Sequence, residues 1–295
     1  MIAGALAAAL ALVPASGAWV TISPAELEAS YERLWAVSDI HGHREEAERL
    51  LLSAGLATRD PGGEVHWDLR ARRQLLIVAG DLIDGGPDSR GVVRLMQRLA
   101  EEAPAAQSRV VVLLGNHEAR SLLHARPGHG KRLLREAPVM AFVGPWLFAH
   151  AGYIDAGRGE ASLKGWFDDV ARRWQSGGLE QYAQFLTGHS ILDDHEWWKS
   201  RRKRKAMREH LRILGMVAVV FGHDPSALGA RKSIAIDANG VFLKLDTGMK
   251  DYGSAGMLLR CDLPEALRQG LTACRASLPD GGARDLVVEP RKDGD

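Results

Sequence analysis

The sequence has few cysteines, no excess of charge of either sign, and no long apolar run beyond its first eighteen residues. Two cysteines among 295 residues exclude a small domain held together by many disulfides. Lys and Arg total 38 and Asp and Glu total 37, so the net charge gives no reason to expect a nucleic acid or an anionic membrane as a partner. The length and composition indicate a globular protein with a large core.

The first eighteen residues, MIAGALAAALALVPASGA, form an apolar segment without Lys or Arg. Ser16 and Ala18 have the small side chains of an A-x-A-like cleavage site, so residues 1–18 predict an export signal. The alternatives are a buried first helix or a membrane anchor, but the run is shorter than the about 20 residues that span a bilayer. We therefore expect a periplasmic or secreted protein with no stable membrane anchor after cleavage, and a cytoplasmic location is the alternative.

The two cysteines, Cys261 and Cys274, lie late in the chain. No second Cys or His pair has the spacing of a zinc site, so metal binding through them is not expected. Export would permit a disulfide between them, and two unpaired thiols are an equal alternative.

Apolar runs rich in Val, Leu and Ile indicate buried strands at LWAVSD, LLIVAGD, VVVLLGN, WLFAH and MVAVVFGH. Amphipathic segments separate the first three runs, so the front half predicts a parallel sheet covered by helices. Asp88 is expected to cap the second of these helices. In the first crossover, Val65, Trp67 and Leu69 alternate as in a short exposed hairpin.

The back half has a different pattern. Gly144-Pro145 and Asn239-Gly240 predict hairpins, so this half is expected to be antiparallel. Residues 156–212 carry much charge and no long strand-like run, which predicts a helical insertion. The cation cluster at residues 201–205 is interpreted as a solvated helix face. The polar residues 279–295 are expected to form a loose tail.

Each of the five apolar runs ends in polar residues with metal-binding atoms, which are Asp39 and His41; Asp81 and Asp84; Asn116 and His117; His150; and His223. Because the carboxyl ends of strands in an α/β sheet border the crevice where ligands bind, these side chains are expected to converge. One such Asp could simply cap the next helix, but five ends of this composition are hard to explain by capping. Carboxylate, imidazole and amide groups suit Mn, Fe, Zn, Co or Ni better than Ca. A shared aspartate can bridge two ions about 3.5 to 4 Å apart, a site suited to phosphate esters.

The motifs DIHGH, GDLIDGG, GNHE, HAG and FGHDP occur in this order between residues 37 and 225, and they resemble the motif set of the calcineurin-like metallophosphoesterase superfamily. GDLIDGG with GNHE points to its phosphoprotein phosphatase branch and to the bacterial Shewanella-like phosphatases. The resemblance implies an α/β fold, a four-layer metallophosphoesterase-type β-sandwich with flanking helices and the helical insertion. It implies a catalytic domain at residues 30–262 and a partly loose C-terminal extension at residues 263–295.

The resemblance also implies a role for each matching residue. Two divalent ions, with Mn favoured over Fe, Zn, Co and Ni, would be held by Asp39, His41, Asp81, Asn116, His150 and His223. Asp39 and His41 would hold the first ion, and Asp81 would bridge the two ions. The second ion would be held by Asn116, His150 and His223. His117 is the expected general acid, and Asp84 orients its imidazole. The neighbouring Glu118 is expected to support the ligands rather than to bind metal.

Two arginines usual in the family are missing, because Gly85 and Leu114 stand at their positions. A guanidinium binds phosphoryl oxygens through two hydrogen bonds, so another cation is needed. The candidates are Arg90, Arg120, Lys199 and Lys250. Lys199 is preferred because it follows the aromatic pair in WWK.

The expected activity is hydrolysis of phosphomonoesters, with phosphoserine, phosphothreonine or phosphotyrosine peptides and proteins or small phosphate esters as substrates. A metal-bound hydroxide would attack phosphorus while His117 protonates the leaving oxygen. One alternative is a dinucleoside polyphosphate hydrolase, since GDLIDGGPDS with GNHE also resembles the symmetrical diadenosine tetraphosphatases. Another is a catalytically weak module that binds metal or phosphoproteins.

Overall fold

The computed structural model describes residues 13–124, 132–178 and 180–289. Its strands are β1 (Trp19–Ile22), β2 (Arg33–Val37), β3 (Ala57–Arg59), β4 (Val65–Trp67), β5 (Gln74–Val78), β6 (Arg109–Val112), β7 (Met140–Val143), β8 (Trp146–Ala149), β9 (Ala218–Phe221), β10 (Ala235–Asp237), β11 (Phe242–Lys244), β12 (Leu258–Asp262), β13 (Arg275–Ser277), β14 (Ala283–Asp285) and β15 (Val287–Glu289). Its α-helices are α1 (Pro24–Ser30), α2 (Arg44–Ser53), α3 (Ser89–Glu102), α4 (Asn116–Leu123), α5 (Arg132–Glu136), α6 (Glu160–Ser176), α7 (Glu180–Ala183), α8 (Arg201–Ile213), α9 (Met249–Tyr252) and α10 (Leu263–Gln269).

The strands form two large sheets and one small one. A seven-stranded sheet has the order β1-β7-β8-β9-β11-β10-β15, and a six-stranded sheet has the order β14-β13-β12-β2-β5-β6. Strands β2, β5 and β6 are parallel neighbours, and so are β8 and β9. The front half is therefore the parallel βαβαβ unit that the sequence predicted.

The core follows from the two-residue period of the strands. Leu34 and Ala36 of β2 belong to the cluster that also holds Trp146 and Phe148 of β8, so these faces of the two sheets pack against each other. The alternate residues of β2, such as Trp35, belong to the cluster that includes the helices. Helices therefore cover the outer faces, which confirms the predicted four-layer α/β sandwich.

Local signals were largely correct. The Asp88 carboxylate accepts a hydrogen bond from Gly91 N at the start of α3, as a helix N-cap does. Gly144 lies between the antiparallel strands β7 and β8, and Asn239-Gly240 lies between the antiparallel strands β10 and β11. The predicted insertion is helical, with α6, α7 and α8 and a short 3-10 helix, Trp197–Lys199.

Three expectations are corrected. The back half is mixed rather than antiparallel, since β9 pairs in parallel with both β8 and β11. The β3–β4 hairpin is not exposed on its apolar side, because Val65 and Trp67 are buried in the core cluster. In the tail, β14 and β15 add an edge strand to each large sheet where a loose segment was expected. Both strands are only three residues long and largely exposed, so neither has the buried apolar run of a central strand.

Strands of the two large sheets lie on both sides of the predicted catalytic segment, residues 30–262. Strand β1 pairs with β7, so the sheet begins at Trp19, directly after the predicted cleavage site. Most of that predicted signal, residues 1–12, lies outside the described residues, as do residues 290–295. None of the helices in the described ranges is both long and apolar enough to cross a membrane.

Candidate metal centre

The carboxyl ends of five strands meet at one end of the sandwich. Asp39 and His41 follow β2, Asp81 and Asp84 follow β5, and Asn116 and His117 open α4 after β6. His150 and His223 follow the parallel strands β8 and β9 of the other sheet. The site therefore draws on both sheets, and the polar residues that end the apolar runs converge as expected.

Glycines before the ligands let the backbone segments approach one another. A Cβ atom at Gly80 would lie 2.6 Å from Gly115 N, and one at Gly222 would lie 2.1 Å from Asp39 Oδ2. Gly80 also has a φ of +85°, which an L side chain rarely adopts. Side chains at these two positions would force the strand ends apart.

Asp81 is the centre of the cluster and is only 2 % exposed. Its Oδ2 lies 3.3 Å from His150 Nε2, 3.5 Å from His41 Nε2 and 3.8 Å from His117 Nε2. Two groups of possible metal ligands share this carboxylate, one with His41 and His117 and one with His150 and His223. A single aspartate shared by two groups is the arrangement expected of a bridging ligand.

Hydrogen bonds fix the tautomers of two histidines. His41 Nδ1 donates to the Ile83 and Asp84 carbonyl oxygens at 3.0 and 2.7 Å, and His150 Nδ1 donates to the Ala79 carbonyl oxygen at 2.9 Å. Because a carbonyl oxygen can only accept, each Nδ1 carries the proton, and Nε2 of the neutral ring keeps a lone pair. Nε2 of each ring, once it carries no proton, can therefore bind a cation beside Asp81.

Buried polar atoms without partners provide a test of whether the residues fit metal ions. Asn116 Oδ1 and His223 Nε2 are buried and have no hydrogen-bond partner among the described residues. The other end of the Asn116 amide, Nδ2, donates to Asp193 Oδ1 at 2.8 Å, which fixes the side chain. His223 Nδ1 lies 3.1 Å from His150 Nε2. Oxygen and imidazole donors converging on a buried carboxylate fit divalent ions of borderline hardness.

The buried carboxylates of the cluster also favour a positive charge beside Asp81. Burial lowers the pKa of His150, but the carboxylates of Asp81 and Asp39 outweigh this effect and raise it to about 10. Burial raises the pKa of Asp39, whereas for Asp81 the neighbouring histidines outweigh burial and hold the pKa well below its ordinary value. Burial and the neighbouring His150 lower the pKa of His223 well below its ordinary value, so this ring is neutral, as a metal ligand must be.

His117 and Asp84 form a pair at the rim of the cluster. His117 Nδ1 lies 3.0 Å from Asp84 Oδ2, and Asp84 is largely exposed. This contact directs Nε2 of the His117 ring towards Asp81 and the solvent-accessible side. The same position allows His117 to be a metal ligand with His41, so the geometry permits either role.

The Glu118 carboxylate binds backbone N–H groups next to the proposed metal ligands. Its carboxylate is fully buried and accepts hydrogen bonds from the backbone N–H groups of Asp81, Leu82, Ile83 and Gly115. It therefore joins the loop after β5 to the start of α4. Burial and the charge of Asp81 raise the pKa of Glu118 to about 7.

Some residues of the site were not found from the sequence. Asp193 and His195 form a third group of possible metal ligands with His223, and the rings of His195 and His223 stack at 3.7 Å between centroids. Both lie in the insertion, in ILDDHEWWK, where no strand-like run precedes them. Asp246, which follows β11, is also buried, and burial together with Asp39 raises its pKa well above the ordinary value. It lies in the segment LDTGM, residues 245–249.

The candidate phosphate-binding cations are placed differently from one another. Lys199 Nζ lies 2.7 Å from Glu196 Oε1, and within the described ranges no recorded contact joins it to the ligand cluster. Arg120 lies at 3.9 Å from Asp193, whereas Arg90 is exposed on α3 and has no recorded ion pair in the described part of the chain. Lys250 Nζ lies 3.4 Å from His117 Nε2. The preference for Lys199 therefore finds no support in this geometry.

Comparison with known proteins identifies the family. The profile of the calcineurin-like phosphoesterase family matches residues 32–227, which include all five motifs. The chain belongs to this family. Calcineurin-like phosphoesterase membership agrees with the predicted enzyme class, the phosphoric ester hydrolases, and implies divalent metal ions at the cluster.

Two known proteins are similar to part of the chain. The chain is 28% identical over 94 residues to Shewanella-like protein phosphatase 2 of Arabidopsis thaliana, and 38% identical over 85 residues to an uncharacterised protein of Schizosaccharomyces pombe. These matches cover 31% and 29% of this chain and only 22% and 24% of the relatives, so the chain matches about a quarter of their length.

A solved structure, the cold-active protein-tyrosine phosphatase of a psychrophilic Shewanella species, is similar to this calcineurin-like phosphoesterase in fold. Its TM-score is 0.65 at 17% identity, over 91% of this chain and 82% of that one. The Arabidopsis relative carries the name of the Shewanella-like branch whose motifs this sequence resembles, and the solved structure shares the fold.

Proposed function

We propose that the protein is a binuclear metal-dependent phosphatase that hydrolyses phosphomonoesters. The observation that carries this proposal is the position of Asp81, whose Oδ2 lies within 3.8 Å of the Nε2 atoms of three histidines. Proposed metal ligands and a proposed proton donor therefore share one carboxylate.

In this proposal Asp39 and His41 would hold one ion, Asn116, His150 and His223 would hold the other, and both groups would share Asp81. Divalent ions bound there would withdraw charge from the phosphoryl oxygens and make water a better nucleophile. The protein contributes imidazoles that can bind such ions once Nε2 is deprotonated, buried carboxylates and the fixed amide oxygen. Mn is our first choice, and Fe, Zn, Co and Ni are the others to test.

His117 is proposed to deliver the proton. Its Nδ1 donates to Asp84 Oδ2, and the negative charge of Asp84 stabilises the ring once Nε2 is also protonated. As the P–O bond breaks, Nε2–H gives its proton to the leaving alkoxide, so the alcohol departs neutral. Asp84 holds the ring in position throughout.

Phosphorylated peptides and proteins are the proposed substrates, with small phosphate esters as the simpler case. The Arabidopsis relative is named a protein phosphatase and the Shewanella structure a protein-tyrosine phosphatase, which supports substrates of this kind. The largely exposed rim around Asp84 supports access by a side chain carried on a polypeptide.

The test is release of inorganic phosphate by purified protein reconstituted separately with Mn, Fe, Zn, Co and Ni. The substrates are peptides with phosphoserine, phosphothreonine or phosphotyrosine, an aryl phosphate, and diadenosine tetraphosphate. We expect phosphate release from the monoesters with at least one ion, and none after chelation. Faster cleavage of the dinucleotide would identify a dinucleoside polyphosphate hydrolase, and tight phosphopeptide binding without release under every ion would identify a binding module.

We further propose that the protein is exported and cleaved after Ala18. The Cys261–Cys274 disulfide supports an oxidising compartment, and a chain that starts at Trp19 retains the whole of β1. Mass spectrometry of the protein purified from its natural host is expected to find an N-terminus at Trp19 and a periplasmic or secreted fraction. An uncleaved protein in the cytoplasm would contradict this proposal.

A further inference from the structure

Lys250 lies over the proposed proton donor. Its Nζ is 3.4 Å from His117 Nε2, the nitrogen that also lies 3.8 Å from Asp81 Oδ2. An ammonium has no lone pair, so the lysine donates to Nε2 and the imidazole accepts. The lysine therefore contacts the ring atom at which the leaving group would receive its proton.

The stem of Lys250 runs beside Gly85. A Cβ atom at Gly85 would lie 3.0 Å from Lys250 Cγ and 3.1 Å from Cδ, and 3.4 Å from His41 Cβ. Gly85 also has a φ of +132°, which favours glycine. Because residue 85 lacks a side chain, the lysine stem can cross its backbone and bring the ammonium to the site.

Helix α9 carries this lysine, and the preceding residues hold its start in place. Asp246 Oδ1 accepts a hydrogen bond from Gly248 N at 2.7 Å, and Met249 is buried. The side chain of Lys250 is exposed, whereas its backbone follows a segment anchored in the core. The ammonium can therefore move locally while its base stays fixed.

The charge of Lys250 is not neutralised by a neighbour. Among the described residues no carboxylate lies within 4.0 Å of its Nζ, whereas Lys199 pairs with Glu196, and Arg120 lies 3.9 Å from Asp193. A lysine that lies at the rim of the ligand cluster and has no anionic partner can bind an oxygen of an incoming anion.

We propose that Lys250 binds a non-bridging oxygen of the substrate's phosphoryl group, which rests on the function proposed above. When the anion enters, Nζ leaves His117 Nε2 and donates to the phosphoryl oxygen, and the vacated Nε2 takes up a proton from solvent that it can later give to the leaving oxygen. A lysine supplies one compact charge rather than the two parallel hydrogen bonds of a guanidinium. The lysine is thus a substrate-binding residue that acts on phosphate affinity.

The experiment measures binding of inorganic phosphate to Mn-loaded protein by titration calorimetry. The variants are Lys250→Met, Lys250→Arg, Lys199→Met and a matched control, Lys164→Met. Lys164 is exposed on α6 and pairs only with Asp168 among described carboxylates. Lys250→Met is expected to weaken phosphate binding by about 10-fold or more, since a charged hydrogen bond is lost. Lys250→Arg is expected to stay within about threefold of wild type because the charge remains. Metal content and melting temperature show that each variant is folded and loaded.

The outcomes separate this inference from the proposed function. Phosphate affinity unchanged in Lys250→Met, or lost in Lys199→Met instead, would overturn the role of Lys250 even if the wild type hydrolyses phosphomonoesters. Phosphate binding that depends on Lys250 in a protein that hydrolyses no ester would overturn the proposed function and leave the lysine's role intact. If Lys250→Met does not fold, equal phosphate affinity in Lys250→Gln would overturn it. A wild type that binds no phosphate would contradict both.

Discussion

Four of the proposed metal ligands and Asp84 adopt backbone conformations that non-glycine residues rarely use. Asp39, His41, Asp81, Asp84 and His223 have φ values of 56°, 49°, 55°, 66° and 69°. Each such residue costs on the order of 1 kcal/mol or more, and the surrounding contacts must compensate for it. The sequence could predict these residue types at strand ends, but their left-handed conformation depends on contacts between distant segments, such as the hydrogen bonds from His223 N to Asp39.

His117→Asn tests whether this residue is an acid or a ligand. As an acid, it should lose kcat on an alkyl phosphate ester by about 100-fold or more, while the metal content stays near that of wild type. Steady-state kinetics and elemental analysis measure these quantities. His189→Asn is the matched control, because His189 is 70% exposed in a Gly-His-Ser segment of the insertion.

A loss of one metal equivalent in His117→Asn would instead assign His117 to the His41 and Asp81 group. Unchanged activity on the alkyl ester would remove it from the chemistry altogether.

Asp193→Ala tests the residue that fixes the Asn116 amide. Without the 2.8 Å hydrogen bond to Nδ2, the amide can rotate and its oxygen is no longer held for the metal. We expect metal affinity to fall by about 10-fold or more at one site, measured by calorimetric titration of metal-free protein with Mn. Asp168→Ala, on the exposed surface of α6, is the control. Equal affinity in the two variants would mean that Asp193 does not position Asn116.

At the scale of elements, the site depends on two loops that the sequence predicts only in part. The GNHE motif predicted the glutamate as a supporting residue, and the structure shows that Glu118 links the loop after β5 to α4 through four backbone hydrogen bonds. The ILDDHEWWK segment has no periodicity, so its approach to His223 could not be predicted. Hydrogen bonds such as that from Trp198 Nε1 to Asp224 Oδ2 bring this segment to the site.

Glu118→Ala should destabilise the metal-free protein strongly. The substitution leaves buried N–H groups of the β5 loop without an acceptor, each of which costs about 1–3 kcal/mol. We expect the free energy of unfolding to fall by about 3 kcal/mol or more, measured in urea. Glu136→Ala is the control, since its carboxylate is 65% exposed in an ion pair with Arg132. A loss no greater than that of the control would show that water replaces the carboxylate.

At the scale of the whole molecule, the number of strands and their order in the sheets could not be predicted from the sequence. Strands β1, β14 and β15 are short or polar and lie at sheet edges, so their sequences lack the apolar run of a central strand. The sequence did not decide between a Cys261–Cys274 disulfide and two unpaired thiols. The structure joins the two cysteines by a disulfide in the core between the sheets. Cys261 lies opposite Leu34, near the start of β2 and away from the end that carries Asp39.

Removing this disulfide should affect stability and leave the chemistry unchanged. For Cys261→Ser with Cys274→Ser, a loop of 13 residues is released in the unfolded chain, and we expect a loss of about 2–4 kcal/mol. Chemical denaturation measures the loss, and Mn affinity and kcat should equal those of wild type. A fall in metal affinity would show that the disulfide end of β2 is coupled to the ligand end.

The helical insertion is attached between His150 and His223, which follow neighbouring parallel strands. Because those strands fix the spacing of the two histidines, the exposed face of α6 can vary without moving them, whereas Asp193 must stay to hold the Asn116 amide. Evolution could therefore vary this helical surface while the residues of the proposed metal site stay in place. The architecture thus separates a variable helical surface from strand ends whose positions are fixed.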